Sequence, residues 1–251
     1  MKMSKIALIT GATAGMGKKT AIELGNMGYT VVINGIDDAQ AEVALAELAE
    51  LNITAEYVKF DVMDEDAVTA NVTAIGEKYG KIDVLVNNAG GLGGRQRFEV
   101  METSFYRRVM ALNLDSAFFV TRAAIPFLKN SDNASVINFA SNAAYNGGGP
   151  GAGVYGISKG GIVLLTRALA KDLAEYGIRV NAVSPGTIDT DFHANIKATN
   201  PAVFESWKNN ILLKRLGRPE EVATVIGFLV SEKASFITGE IMQINGGQDL
   251  L

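Results

Sequence analysis

Residues 5–17 read KIALITGATAGMG. An apolar run, 5–10, breaks into glycines at 11, 15 and 17, and a helical pattern follows near 15–27. A short continuous apolar run suits a strand covered on both faces. Glycine permits the tight turn and a close backbone approach to a pyrophosphate. The helix that starts there aims free N–H groups and its positive dipole end at the anion. The spacing is G-x-x-x-G-x-G, not the general dinucleotide fingerprint G-x-G-x-x-G. Glycines also occur at such turns without a ligand, so the motif alone leaves phosphate binding open.

The same alternation runs outward from this stretch to the end of the chain. Strand candidates fall at 5–10, 30–34, 53–60, 82–88, 134–141, 178–184 and 240–245. Helical patterns lie between them, near 39–51, 64–79, 99–129, 153–176 and 219–230. This implies βαβ units, right-handed crossovers and a parallel sheet with helices on both faces. No linker or repeat interrupts it, so one domain is expected over 1–251. The irregular insertion 187–217, with Pro201 and Trp207, reads as a substrate lid or as a surface excursion.

Hydrophobic residues make up 48% and charged residues 20%, enough apolar material for a sizeable core. The formal net charge is -4 and no basic run occurs, which argues against nucleic-acid or anionic-membrane binding. The absence of cysteine removes disulfides, thiolate zinc sites and cysteine nucleophiles together. The first residues run straight into a strand pattern without a signal-like segment, and no apolar stretch reaches spanning length. A soluble, cytoplasmic protein is expected. His193, the one histidine, lacks partners for a metal site and is expected to be structural or a substrate contact.

VYGISKGG, 154–161, places Tyr155 and Lys159 four residues apart on one helix face. A nearby ammonium lowers a phenol's pKa, and a shift of ~2 units is worth roughly 2.7 kcal/mol. Such a phenol can exchange a proton near neutrality, as carbonyl reduction or alcohol oxidation needs. An ordinary exposed i,i+4 pair is the alternative.

TGATAGMG (10–17), NNAG (87–90), the Tyr155/Lys159 pair and SPGTIDT (184–190) occur in one order, and together they resemble a short-chain dehydrogenase/reductase of the ~250-residue type. The resemblance covers essentially the whole chain. It implies one Rossmann-like doubly wound domain, with seven parallel strands in the order 3-2-1-4-5-6-7. It also implies a homotetramer, with a dimer as the alternative, and a C-terminal INGGQDLL that packs at a subunit interface. Asn113, Ser141, Tyr155 and Lys159 match the catalytic positions. Asn113 goes with a helix distortion near the lysine, and Ser141 with a hydrogen bond to the substrate oxygen. On a spacing one residue shorter, Asn142 would take the serine's place. The cofactor would meet Gly11, Thr13, Ala14, Gly15, Met16 and Gly17 at the first turn, and Gly35, Ile36 and Asp37 after the second strand. Asp61 and Val62 would flank the adenine, with Asp61 alternatively a helix cap. Asn88, Ala89 and Gly90 would line the cofactor, and Pro185, Gly186, Ile188 and Thr190 would seat the nicotinamide, as would Tyr155 and Lys159.

The usual markers of NAD or NADP preference are missing: Gly35 stands where an NAD enzyme often has aspartate, and Ile36 and Ala14 where NADP enzymes carry a basic residue. Asp37 and Asp38 should repel a 2′-phosphate, with Lys18 as a partial offset, so NAD is expected. Arg95 and Arg97 follow the NNAG loop and could clamp a substrate carboxylate. The pattern around them resembles reductases of keto sugar acids, including uronate-derived ones. The alternatives are a 3-oxoacyl-carrier-protein reductase, with Arg107 and Arg108 also facing an acidic carrier, and a nucleotide-binding scaffold without catalysis. Tyr106, Tyr145 and the 147–153 glycine stretch are further candidate pocket neighbours.

Overall fold

The computed structural model describes residues 5–190 and 194–250. Strands β1 (Lys5–Ile9), β2 (Tyr29–Gly35), β3 (Ala55–Lys59), β4 (Val84–Asn87), β5 (Ser135–Phe139), β6 (Arg179–Pro185) and β7 (Ile241–Ile244) form one sheet, ordered β3-β2-β1-β4-β5-β6-β7. Every pairing is parallel. The helices are α1 (Gly15–Asn26), α2 (Asp38–Glu50), α3 (Glu65–Tyr79), α4 (Thr103–Met110), α5 (Ser116–Leu128), α6 (Ala143–Asn146), α7 (Gly153–Leu173), α8 (Ala194–Thr199), α9 (Pro201–Asn210) and α10 (Pro219–Val230).

Successive strand side chains point to opposite faces, so β1 feeds two cores. Ala7 and Ile9 pack with Leu24, Leu48 and Ile226 of α1, α2 and α10. Ile6 and Leu8 pack with Val72, Leu128 and Leu173 of α3, α5 and α7. In register, Leu8 lies between Val32 and Leu85, and all three are fully buried. β3, at the edge, is only half-buried and ends on exposed Lys59. After β1 the chain turns to one face, and after β4 to the other. The order therefore reverses between neighbouring β1 and β4, which opens a crevice at their carboxyl ends.

Three expectations about elements change. The 99–129 helix is not continuous. A 3-10 turn (Phe98–Val100), α4, a π turn (Ala111–Asp115) and α5 succeed one another. The break has a local cause: Asn113 Nδ2 donates to Val109 O at 2.9 Å, competing for the carbonyl one turn earlier. The strand candidates overrun, because Ile53, Phe60, Ile82 and Ala140 are buried beyond the ladder's ends. The insertion carries two helices, α8 and α9, with Asn200 capping α9 ahead of Pro201 at its first position. Its base is pinned by Asp189 N donating to Gly217 O and Gly217 N donating to Thr187 O, at 2.8 and 3.1 Å. No described helix is long and apolar enough to cross a membrane.

Candidate active site

The first turn is shaped for close approach. Gly11 and Gly15 have φ of +59° and +55°, which a side chain would strain. Gly17 has no room for one: a Cβ there would strike Gly11 O and lie 2.5 Å from Asn88 Nδ2. That amide donates to Thr10 O and Gly11 O at 2.9 and 2.8 Å, fastening the turn to the end of β4. Ala14 at the head of α1 offers no side-chain cap, which leaves the first N–H groups for an anion. Gly17→Ala is expected to lower stability by about 1–3 kcal/mol, as overpacking does, and to weaken dinucleotide binding. Thermal melts with and without NADH check both, and an unchanged melting temperature with unchanged affinity would refute the packing argument.

The ends of β2 and β3 lie beside this turn. Thr13 packs over Gly35, where a Cβ would meet its Cγ2 at 2.7 Å. Ile36 is exposed. Asp37 caps α2 by accepting from Gln40 N at 3.1 Å. Asp38 accepts from Lys59 Nζ at 2.6 Å and from Tyr57 O–H at 3.2 Å; the Lys59 ammonium holds its carboxyl below the usual range. Lys18 is paired with Glu47 and so is not an open cation for a phosphate. Asp61 accepts from Met63 N at 2.9 Å in a local turn, while Asp64 caps α3. The capping alternative for Asp61 is thereby corrected: the cap lies three residues later. Val62 beside it is buried, and Ala89 crowds Gly11.

A cavity of about 590 Å³ opens at the carboxyl ends of β4, β5 and β6. Met16, Asn88, Gly90 and the Pro185, Gly186, Ile188 and Thr190 segment line it, with Ser141, Tyr155 and Lys159 among them. Lys159 Nζ donates to Phe139 O at 2.7 Å and lies 5.7 Å from the Tyr155 ring centroid. Burial brings the lysine pKa down to about 8. Burial also pushes the Tyr155 phenol above its ordinary value, while a hydrogen bond with Ser141 pulls the other way. The expectation that the ammonium leaves this phenol acidic is therefore corrected for the protein alone. Desolvation of the phenolate outweighs the hydrogen bond with Ser141.

Asn113 is buried and exchanges two hydrogen bonds with the Gly91 backbone, at 2.9 and 2.8 Å. Its Oδ1 and Lys159 Nζ converge on Gly90, where a Cβ would lie 2.8 and 3.3 Å from them. Ser141, Tyr155 and Lys159 thus share the cavity lining, and Asn113, outside that lining, meets Lys159 across Gly90. Arg95 reaches the cavity rim, with Nη1 donating to Pro150 O at 2.9 Å. Arg97 does not: it lies in a separate shallow groove beyond the glycine stretch, with Phe98. Of the two arginines expected on substrate, one lines the cavity: the loop is held against Pro150 through Arg95, while Arg97 falls among Phe98 and the 147–153 glycines. Tyr106 and Tyr145 are exposed and outside the lining. Arg108 donates to Gly93 O at 3.1 Å, steadying the loop that carries Arg95. Asn142 lines the cavity, but its amide nitrogen is turned to Asp249.

Sequence reasoning missed Leu92 and Gln248 as cavity-lining residues, and placed Trp207 only within the insertion. Gln248 Oε1 accepts from Thr187 N and Oγ1 at 2.9 and 3.1 Å, so the C-terminal segment folds over its own site. The expectation for His193 falls outside the described residues. Among those described, no cluster of His, Cys, Asp or Glu could hold a metal ion.

A family model described as Enoyl-(Acyl carrier protein) reductase matches residues 11–249. The 3-oxoacyl-[acyl-carrier-protein] reductase FabG of Thermotoga maritima is 36% identical over 245 residues, 97% of each chain. Two solved structures superpose closely. An NADH-dependent reductase A1-R′ responsible for alginate metabolism has TM-score 0.89 and 37% identity, over 99% of this chain and 98% of that one. A short-chain dehydrogenase/reductase of Brucella melitensis, titled glucose/ribitol dehydrogenase, has TM-score 0.90 and 34% identity over the whole of both chains. Likeness at this level, from the first turn to the last strand, places the chain in the short-chain dehydrogenase/reductase family of oxidoreductases.

Proposed function

We propose that the protein reduces the carbonyl of a keto sugar acid, of the kind derived from uronates, with NADH. The observation that carries the substrate class is Arg95. Among the described residues lining the cavity, it and Lys159 are the cations, and Lys159 is buried against Phe139 O. Arg95 sits at the rim, where a guanidinium can take a carboxylate in bidentate fashion while the carbonyl lies deeper, at Tyr155 and Ser141. The alginate-related reductase named above is a structural relative that points the same way.

The residues fit a nicotinamide dinucleotide. The Gly11–Gly17 turn has no space for side chains at its closest points, and Met16 of that turn and Asn88 bonded to it line the cavity. When bound, that group supplies the hydride. Tyr155 gives its proton to the substrate oxygen. Ser141 donates a hydrogen bond to the same oxygen as negative charge develops there. The Lys159 ammonium favours the phenolate left behind. Asn113 holds the Gly91 backbone beside that lysine. NADH is favoured because both cations near the ribose end, Lys18 and Lys59, are paired with Glu47 and Asp38. A homotetramer fits the exposed apolar residues Phe118, Ile157 and Leu164 on α5 and α7.

The second reading is a 3-oxoacyl-carrier-protein reductase, favoured by the name of the Thermotoga relative and by exposed Arg97 beyond the rim. Steady-state assays of a 4-deoxy-5-keto uronate and of acetoacetyl-CoA, each with NADH and NADPH, separate the two. The keto acid with NADH is expected to be the better pair. Arg95→Ala should raise its KM on the order of tenfold or more, the size of a charged hydrogen bond. Faster turnover of the thioester with NADPH, indifferent to Arg95→Ala, would overturn this reading.

A further inference from the structure

The segment that carries Ser141 is tied to a residue more than a hundred positions away. Asn142 Nδ2 donates to Asp249 Oδ2 at 2.8 Å, and Asn146 Nδ2 donates to both oxygens of the same carboxylate, at 3.1 and 3.2 Å. Asp249 is itself fixed: its backbone oxygen accepts from Asn245 Nδ2 at 2.8 Å, and neighbouring Gln248 is bonded to Thr187. A carboxylate can only accept, so both amides must present nitrogen to it. Each Oδ1 is therefore turned the other way. For Asn142 that oxygen meets Ser141 Oγ at 3.3 Å; for Asn146 it accepts from Gly148 N at 2.9 Å. Ala143 N donates to Ser141 Oγ at 3.2 Å, and the hydroxyl proton has two acceptors, the Asn142 oxygen and the Tyr155 phenol oxygen.

We propose that Asp249 is a positioning residue for carbonyl reduction, acting through the Asn142 amide to set the direction of the Ser141 hydroxyl. The proposal rests on Ser141 being the group that hydrogen-bonds the substrate oxygen. A hydroxyl whose hydrogen bond to an amide oxygen is long is readily redirected to donate to an oxygen gaining charge. Without the carboxylate, the Asn142 amide can turn over and present nitrogen to Ser141 Oγ. The hydroxyl then loses one of the two acceptors that orient it, the one on the Asn142 side. Through Asn146 the same carboxylate steadies Gly148, which lines the cavity wall.

The test is a double-mutant cycle on the full chain with NADH. The carbonyl probe is whichever of 4-deoxy-5-keto uronate and acetoacetyl-CoA the wild type reduces faster. Asp249→Ala should lower kcat about tenfold, equivalent to about 1.4 kcal/mol, with the KM of the carbonyl probe and the Kd of NADH little changed. Asp249→Asn, which can still accept from Asn142, should recover most of the loss. Ser141→Ala should lower kcat about a hundredfold or more, and adding Asp249→Ala to it should cost almost nothing further. Wild-type kcat in Asp249→Ala, or its full loss repeated in the Ser141→Ala background, would overturn the proposal while leaving the role of Ser141 intact. Wild-type kcat in Ser141→Ala would overturn both. Should Asp249→Ala not yield folded protein, Asn142→Ala removes the link from the other side, with the same expected values.

Discussion

Tyr155→Phe lowers kcat for carbonyl reduction by roughly 10²–10⁴-fold, the range over which a positioned acid acts, and leaves NADH binding intact. The variant keeps the ring and so its packing beside Val154 and α4. What it loses is the hydroxyl proposed to hand a proton to the substrate oxygen. Water is a poor substitute, because Tyr155 and Ser141 sit in a site where burial already holds the phenol protonated. That protonation is an advantage for reduction, since the acid is loaded at neutral pH. Stopped-flow turnover with NADH titrations by fluorescence checks both halves of the expectation. Turnover near the wild-type rate would remove Tyr155 from the chemistry, and with it the proposed mechanism.

Lys159→Met should lower kcat by about a hundredfold or more, because the charge that favours the phenolate disappears. The same change is expected not to destabilise the protein and to raise its stability at neutral pH. The folded lysine has a pKa of about 8, against about 10.4 when unfolded. Between those values the unfolded chain binds more protons, so stability rises with pH there. Below about pH 8 the buried ammonium is charged, and folding bears a penalty of about 3 kcal/mol. Methionine removes that penalty but leaves Phe139 O without its donor, a loss of about 1–3 kcal/mol. Urea unfolding of wild type and variant, without dinucleotide, from pH 7 to 10 checks the sign. The gap between them should narrow or reverse as pH rises through 8. A variant less stable at pH 7 and equally so at pH 10 would contradict it.

The strand-helix alternation was legible because the inner strands are short, apolar and covered on both faces, and Leu8, Val32 and Leu85 show why such runs need no polar alternation. Their ends were not legible, since Phe60 and Ile82 are buried as deeply as ladder residues while serving the turns. The reactive pair and the glycine turn were readable because their spacing is local. Arg95 and Arg97 were indistinguishable in sequence. Only the fold of the loop against Pro150 sends one to the rim and the other away. Gln248 and Asp249 gave no sign of themselves, because their meeting with Thr187, Asn142 and Asn146 is made entirely by tertiary structure. The break at Asn113 could be suspected from propensity, but its shape depends on Gly91, which approaches from a different loop.

The chain holds a single tryptophan, and that indole, Trp207 on α9, faces the cavity. Indole emission, excited at wavelengths the seven tyrosines do not absorb, is therefore a one-residue signal that arises at the cavity. A reduced nicotinamide arriving there would quench it by energy transfer, and a shift of α9 would alter its colour, with no background indole to obscure either. The molecule comes with its own optical probe of occupancy, and no label need be attached.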